Sequence, residues 1–565
     1  MRICPTINKF LRVTPCPLCR CVEKNPELSA MKDTVFNTEA QRTRRCTEKI
    51  NCMKRLLLSA TILLAAVSIK AQNPNAAYQP PAFTDADRSK KIAEYFPVVE
   101  KIYREYAEKN HFPGYAFGVM LDGKLVFAGS GGYSDIDKKI PATTRSMFRI
   151  ASMSKSFTGM AILKLRDEGK LKLDDSVYQY IPEMKGQQLT SDAPAITIRN
   201  LLTHSAGFPE DNPWGDRQLA DTDEELIALI RKGISFSNDP SVTYEYSNLG
   251  FAMLGYIIKK VSGIPYSEYI AKNIWQPLGM NQAQWEYTKV PANELAHGYR
   301  WINNNWREEA LLHDGIYGAM GGMITSIESF SKYVALHQLA WPVRNDAETG
   351  PVKRSSVREM HQPWRFIGLN TNYRYPSGRG CATTSAYGYG LNWTRDCEGR
   401  ESVAHSGGLP GFGSNWRFLP EYGLGVILFA NVTYAPTTPP NFAVLDTLIR
   451  LAGLKPRQLP PSGILKQRQN ELVKLLPDFN NATASGIFAD NFFSDYFTDV
   501  MKKEANEIFA KAGRIIKVNE LEPDNQLRGH FIIEGENANV WVSFTLTPEN
   551  PGLIQEYRIR SVDKK

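Results

Sequence analysis

Strand-forming sequence stands at the two distant ends of one long segment, with a helical stretch between them. Gly114–Leu121 and Lys124–Ser130 are apolar runs around Asp122-Gly123, a pair of residues that signals a tight hairpin. From Tyr387 onward the strand pattern returns, at Tyr387–Thr394, Ser402–His405, Asn415–Leu419 and Leu424–Asn431. Residues 200–340 read mostly as helix with turn-rich insertions. Asp85 to Asn110 reads as one amphipathic helix, and Ser152 to Asp167 as another with Gly169 placed to stop it. That order predicts an α+β fold, in which one sheet is assembled from both ends of the segment and a helical domain is inserted between them.

Charge marks off the start of the chain. The whole 565-residue sequence has a net charge of +8, which suggests nucleic acid or a membrane surface as partner. Residues 1–71, however, hold 13 Lys+Arg against 5 Asp+Glu, and the remaining 494 residues hold 54 of each sign. The excess therefore sits entirely in the first eighth, and the rest offers no electrostatic reason to expect nucleic acid. Met53-Lys54-Arg55 opens a short cationic region, and Leu56 to Ile69 is an apolar run of signal-peptide length. It is shorter than the ~20 residues a bilayer requires. The pattern predicts a signal peptide over 53–71 cleaved after Ala71, an exported (periplasmic or secreted) protein, and no membrane span once the signal is removed. Translation is expected to start at Met53, with residues 1–52 a mis-assigned upstream extension.

Six of the eight cysteines (Cys4, Cys16, Cys19, Cys21, Cys46 and Cys52) lie in that extension. Cys16-Pro-Leu-Cys19 has no second CxxC to complete a zinc site. Cys381 and Cys397 remain, 16 residues apart. In an exported protein they suggest a disulfide worth about 3 kcal/mol, with two buried thiols as the alternative. Lys455–Pro461 reads as a linker, and the segment beyond it as a small α+β module of cystatin- or NTF2-like type. Its helical patterning runs through Asn491–Ala512, followed by strand-like runs at Arg514–Leu521, Leu527–Glu534, Asn539–Leu546 and Leu553–Arg560. No catalytic constellation is visible there.

Three short motifs carry the chemistry. Ser152-Met153-Ser154-Lys155 is a Ser-x-x-Lys whose spacing on a helix puts hydroxyl and ammonium on one face. A serine needs a neighbour to take its proton, and a lysine serves only if its pKa falls far below ~10.4. Further Ser-x-x-Lys copies at Ser29, Ser329 and Ser561 show that this motif alone is weak. Tyr246-Ser247-Asn248 is the sole Tyr-x-Asn, at the head of the helix-like run Leu249–Ser262. A tyrosine beside cations can shuttle a proton, and the Asn248 amide can orient the lysine or a substrate carbonyl. His405-Ser406-Gly407-Gly408 ends a strand, and its small residues let a substrate backbone lie along the edge. His313-Asp314-Gly315 is a rival without a convincing strand. Gly118–Lys124 mimics a phosphate loop, but Leu125 stands where Ser or Thr is needed. Neither His-Glu-x-x-His nor a Gly-x-Ser-x-Gly elbow occurs, so no metal and no cofactor is expected.

The order Ser-x-x-Lys, Tyr-x-Asn, Lys/His-x-Gly resembles that of the class C β-lactamase-like serine hydrolases, which include class C β-lactamases, DD-peptidases, D-aminopeptidases and related carboxylesterases. Leu201–Gly207, Tyr246–Gly263 and Gly321–Ser326 look like the same superfamily. The resemblance covers about residues 95–450. It implies a β-lactamase/transpeptidase-like antiparallel sheet flanked by helices over 95–455, preceded by a linker and the start of the first helix (72–94) and followed by the C-terminal module (456–565). By the same resemblance Ser152 is the nucleophile, Lys155 and Tyr246 are its proton-transfer pair with the base left open between them, and Asn248 is the positioning amide. The N–H groups of Ser152 and Gly408 form the oxyanion hole, and His405, Ser406 and Gly407 line the substrate strand. His204 fits the pattern as a structural residue. The implied activity is hydrolysis of an ester or peptide bond in a small or cell-wall-derived substrate. The alternatives are a penicillin-binding DD-peptidase or β-lactamase, or an envelope binding protein that keeps the fold without turnover. His405 stands where class C β-lactamases carry lysine, which argues against a dedicated β-lactamase because a histidine near ~6.5 is mostly neutral at pH 7.

The mature protein is expected to begin at or near Gln72. N-terminal sequencing or intact mass checks this, and material beginning near Met1 would refute it.

Overall fold

In the computed structural model, which describes residues 78–564, the hairpin and the late strands meet in one nine-stranded antiparallel sheet. The predicted extension, signal peptide and first residues of the linker lie outside the described residues. The strands are β1 (Gly114–Leu121), β2 (Lys124–Asp135), β3 (Ile140–Pro141), β4 (Arg365–Asn370), β5 (Thr383–Tyr387), β6 (Asn392–Asp396), β7 (Glu401–Leu409), β8 (Phe412–Leu419) and β9 (Leu424–Ala430). Their order is β3-β2-β1-β9-β8-β7-β6-β5-β4. The strands from the two ends join where β1 pairs with β9, from Tyr115↔Ala430 to Leu121↔Leu424. Asp122 and Gly123 both have positive φ (51° and 80°), as the tightest hairpin turn requires.

β1 and β9 are apolar along their whole length because both faces of the sheet are covered. On one face, Phe117, Val119, Val426 and Leu428 pack against Val99 and Tyr103 of α1 (Phe96–Lys109) and Val444 and Leu448 of a late helix. On the other, Ala116, Met120, Ile427 and Phe429 meet the helical half of the molecule. There α2 (Ser154–Asp167) brings Phe157, α3 (Asn248–Ser262) brings Phe251, and α4 (Ile327–Leu339) brings Phe330 and Tyr333. The late helix on the first face is α5 (Thr438–Leu451). Among the described residues no helix is long and apolar enough to cross a membrane.

Several local expectations are corrected. The helix predicted over Asp85–Asn110 is two helices, Arg88–Ala93 and α1, because Pro97 has no N–H to give and fits only a first turn. The strand predicted at Tyr387–Thr394 is the hairpin β5–β6, turned at Gly388–Leu391. A side chain on Gly388 would strike the Met360 carbonyl at 2.1 Å, and one on Gly390 would strike the Lys155 carbonyl at 2.7 Å. Both glycines are therefore contact points with the helical half. His405 lies within β7, which continues to Leu409, rather than at its end. β4 carries no strand signal in the sequence because it is an exposed edge strand with no apolar alternation.

Beyond Ser462 the chain packs around a core of its own. It comprises α6 (Gly463–Leu475), which the sequence pattern did not show, α7 (Thr498–Ala512), and strands β10 (Ile515–Val518), β11 (Glu522–Pro523), β12 (Arg528–Gly535), β13 (Asn539–Leu546) and β14 (Ile554–Val562). The strands run in the order β10-β12-β13-β14, with β11 on β12. In β12 and β13 alternate residues are buried, the pattern of a sheet covered on one face.

Cys381 and Cys397 are joined in a disulfide, so the free-thiol alternative falls away. The bridge closes the open end of the β5–β6 hairpin just beyond the Thr383↔Asp396 pair. Replacing both cysteines with serine should lower the free energy of unfolding by about 3 kcal/mol. Denaturant melts of the oxidised protein and the double variant measure the difference.

Candidate active site

The turn that presents Ser152 is held in a conformation the chain would not adopt alone. Ala151 has φ 50°, in the left-handed region that costs a residue with a side chain about 1 kcal/mol or more. Four contacts fix it. Ser154 Oγ donates to the Ala151 carbonyl (2.7 Å) and accepts from Met323 N (3.1 Å), Ile150 N donates to the Met323 carbonyl (2.9 Å), and Ser414 Oγ of β8 donates to the Ile150 carbonyl (2.7 Å). Gly407 presses on the same turn, and a Cβ there would lie 2.2 Å from the Ile150 carbonyl oxygen. Gly407 is thus a contact between the sheet and the turn that presents Ser152.

Lys155, one turn later on α2, is fully buried. Its Nζ donates to Ser152 Oγ (3.0 Å), to Asn248 Oδ1 (2.7 Å) and to the Met320 carbonyl (2.9 Å). All three acceptors are neutral. Burial pulls the Lys155 pKa down to about 7, against the opposing pull of Asp216 and Asp211. The neutral amine still has two protons for Asn248 and Met320, and a lone pair to turn on the Ser152 hydroxyl. Tyr246 lies beside the same amine, with its ring centroid 4.8 Å from Nζ and its hydroxyl near Ser152. Burial pushes that hydroxyl well above the usual phenol value.

Asn248 is the first residue of α3, where Ser247 is the cap and accepts from Gly250 N (3.2 Å). Asp211 holds the same helix end, accepting from Asn248 N (2.6 Å) and Leu249 N (2.7 Å). This carboxylate fixes the helix start that carries Asn248, whose side-chain amide donates in turn to Asn212 Oδ1, and no local pattern in the sequence marks either partner. His204 accepts from Ser247 N (3.1 Å) and lies tilted against the rings of Tyr246, Phe251 and Tyr387.

β6 pairs with β7 only from Glu401 to Ala404, so His405–Gly408 continue along the cleft without that neighbour. The cleft, about 480 Å³, is lined by Glu210, Asn212, Tyr244, Glu245, Tyr246, Asn392, His405 and Ser406. Ser406 is exposed to it. His405 is buried and both its nitrogens are engaged: Nδ1 donates to the Ser406 carbonyl (2.6 Å), and Nε2 accepts from Tyr387 OH (2.8 Å). Burial, helped by the Lys155 charge, drives its pKa down to about 3. His405 is therefore a neutral strut between β7 and β5 and supplies no charge to a bound carboxylate. A Cβ on Gly408 would lie 2.8 Å from the Tyr434 ring, so this position too is closed to larger residues. His313 is on the surface beside Glu286 and Tyr287, and Lys332 of the Ser329 motif bonds the Gly279 carbonyl, so neither rival enters the site.

A serine on the turn that leads into a buried helix, a lysine in that helix's first turn, a tyrosine and an amide from the helical half, and a strand edge opposite are the arrangement of the β-lactamase and penicillin-binding-protein-like serine hydrolase superfamily. The chain belongs to the beta-lactamase family, whose model matches residues 99–452. It is 28% identical over 345 residues to Protein flp of Staphylococcus aureus (strain N315), covering 60% of this chain and 64% of that protein. The chain thus spans a little under two thirds of that relative's length. It is 27% identical over 334 residues to Penicillin-binding protein 4* of Bacillus subtilis (strain 168), covering 56% of this chain and 67% of that protein. The octameric penicillin-binding protein homologue from Pyrococcus abyssi has the same fold, with a TM-score of 0.53, 23% identity, and coverage of 82% of this chain and 99% of that one.

His204, His337, His361 and His405 are buried, and burial holds each well below the ordinary histidine pKa. Unfolding therefore takes up protons in the window from about 6.5 down to the depressed folded values, and stability is lost as pH falls through it. Each histidine contributes up to about 1.4 kcal/mol per pH unit there. In urea melts between pH 6.5 and 4, His405→Gln should have a slope shallower than wild type by up to one proton.

Proposed function

We propose that the chain is an exported serine hydrolase that forms an acyl-enzyme on Ser152 and cleaves an ester or amide bond in a small or peptide substrate. The observation that carries this reading is the 3.0 Å contact between Ser152 Oγ and a buried Lys155 Nζ whose pKa lies at about 7. A base poised near the working pH is what proton removal from serine requires. Lys155 suits the base role better than Tyr246, whose proton burial holds tightly. Tyr246 then relays a proton to the leaving group.

In the proposed sequence Lys155 takes the Ser152 proton and Oγ attacks the carbonyl carbon. The oxyanion lies against the N–H groups of Ser152 and Gly408, and the leaving amine or alcohol departs with a proton passed through Tyr246. Water, activated by the same pair, then releases the acyl group. Asn248 holds Lys155 in line throughout. Ser406 is the polar side chain of β7 open to a substrate. Because His405 is neutral and buried, no permanent cation at the third motif favours a substrate carboxylate, which supports esterase or peptidase over β-lactamase activity. The penicillin-binding protein named among the relatives keeps DD-peptidase as the second reading. Residues 95–455 form the proposed hydrolase domain, 456–565 a separate module, and 53–71 the leader.

The test is to treat wild type and Ser152→Ala with a fluorescent penicillin and a panel of acyl esters, and to follow both by mass spectrometry and product release. Wild type should gain acyl mass on the peptide containing Ser152, and Ser152→Ala should lose turnover by at least about 10³-fold. Acylation that persists in Ser152→Ala would refute the nucleophile. Wild type inert to every probe would favour a binding protein.

A further inference from the structure

Lys155 is a buried cation whose three hydrogen bonds all go to neutral oxygens. A charge removed from water must be offset somewhere, so its counter-charge is farther out. The charged and titratable groups that face it are Tyr246 and Asp211 around the head of α3, His204 beneath them, His405 from β7, and Asp216 from the turn Gly215–Arg217. The two histidines are neutral and the tyrosine keeps its proton. Two carboxylates remain. Asp211 is spent on the N–H groups of Asn248 and Leu249.

Asp216 is placed differently. It is 1% exposed, and its Oδ2 accepts from Tyr434 OH at 3.0 Å. Its Oδ1 has no hydrogen-bond partner among the described residues. Burial raises the pKa of a carboxylate so poorly solvated, while the Lys155 charge, the Tyr434 hydrogen bond and Arg217 favour its anion, and Asp216 is in turn the strongest opposing charge on Lys155. Its turn lies hard against the amide that grips the lysine, since a Cβ on Gly215 would stand 2.8 Å from Asn248 Cβ and 3.0 Å from Nδ2. Tyr434 completes the link to the sheet. It follows β9, holds φ 52°, and lays its ring against Gly408. One hydrogen bond therefore ties the strand of the proposed oxyanion donor to the carboxylate behind the proposed base.

We propose that Asp216, anchored by Tyr434, is a positioning residue that serves as counter-charge to Lys155 and sets the pH at which Lys155 becomes a base. This rests on the serine-hydrolase reading for its catalytic consequence, but not for the titration itself. Asp216→Asn keeps the shape and the oxygen that accepts from Tyr434, and removes only the charge. With less to stabilise the ammonium, Lys155 loses its proton at lower pH, so the acidic limb of the Ser152 acylation rate moves down.

The experiment is side-chain NMR of 13Cε-labelled lysine in the full chain across pH, with the Lys155 signal identified by its loss in Lys155→Ala. Ser152 acylation by an ester probe is measured over the same range. Wild-type Lys155 should titrate near 7, and in Asp216→Asn it should titrate lower by about one pH unit. Tyr434→Phe leaves the carboxylate without its donor, so Asp216 takes up a proton and the Lys155 midpoint moves in the same direction. That residue is 42% exposed, so this variant decides the matter if Asp216→Asn fails to fold. A Lys155 midpoint unchanged in a folded Asp216→Asn, or rising in either variant, would overturn the proposal, as would a loss of melting temperature with no titration shift. If lysine titration shifts as expected but wild type never acylates, the counter-charge stands and the hydrolase reading fails.

Discussion

The interaction on which the rest of the site depends is the capture of one lysine ammonium by three neutral oxygens. Those oxygens come from three parts of the chain: Ser152 on the preceding turn, Asn248 at the head of α3, and the Met320 carbonyl from the short helix Gly318–Gly321. None balances the charge, so burial lowers the proton affinity of Lys155, and neutral acceptors keep the amine aimed once the proton has gone. An aspartate in place of any of them would grip the ammonium more strongly and defeat that balance. The inserted helical half is therefore part of the chemistry, because two of the three oxygens belong to it.

The turn that presents Ser152 shows the same dependence from the sheet side. Ala151 carries unfavourable backbone geometry, and the contacts that hold it come from β8 through Ser414, from β7 through Gly407 and from the segment at Met323. A serine placed this way cannot be built by α2 alone. The strained residue is tolerated because neighbours on three sides over-determine it. Two apolar interfaces, one on each face of β1 and β9, keep those neighbours in register.

What was legible in the sequence was what local spacing encodes. Ser152 and Lys155 lie one turn apart, Asn248 follows a good cap, and Asp122-Gly123 can hardly be other than a hairpin turn. The joining of early and late strands followed from their apolar patterns, because both faces are covered. What stayed hidden was set by tertiary contact. Asp211 lies 37 positions before Asn248 in an irregular loop, and nothing periodic marks it. Tyr387 meets His405 only because β5 comes into the same sheet. The tight packing at two glycines was hidden in the same way: Gly407 is the point where the strand and the turn that presents Ser152 touch, and Gly408 lies under Tyr434.

The histidine of the third motif follows from the same electrostatics. His405 and Lys155 share one desolvated region, and the Lys155 charge lowers the His405 pKa beyond what burial alone would do. Two cations there would add repulsion to a desolvation cost already large for one. The imidazole escapes by staying neutral, and it can do so because the Ser406 carbonyl takes its one proton and Tyr387 OH fills its lone pair. With histidine in the strand, the positive charge of the site is concentrated on Lys155 alone, and its protonation can be set by carboxylates behind it rather than by a second cation beside it.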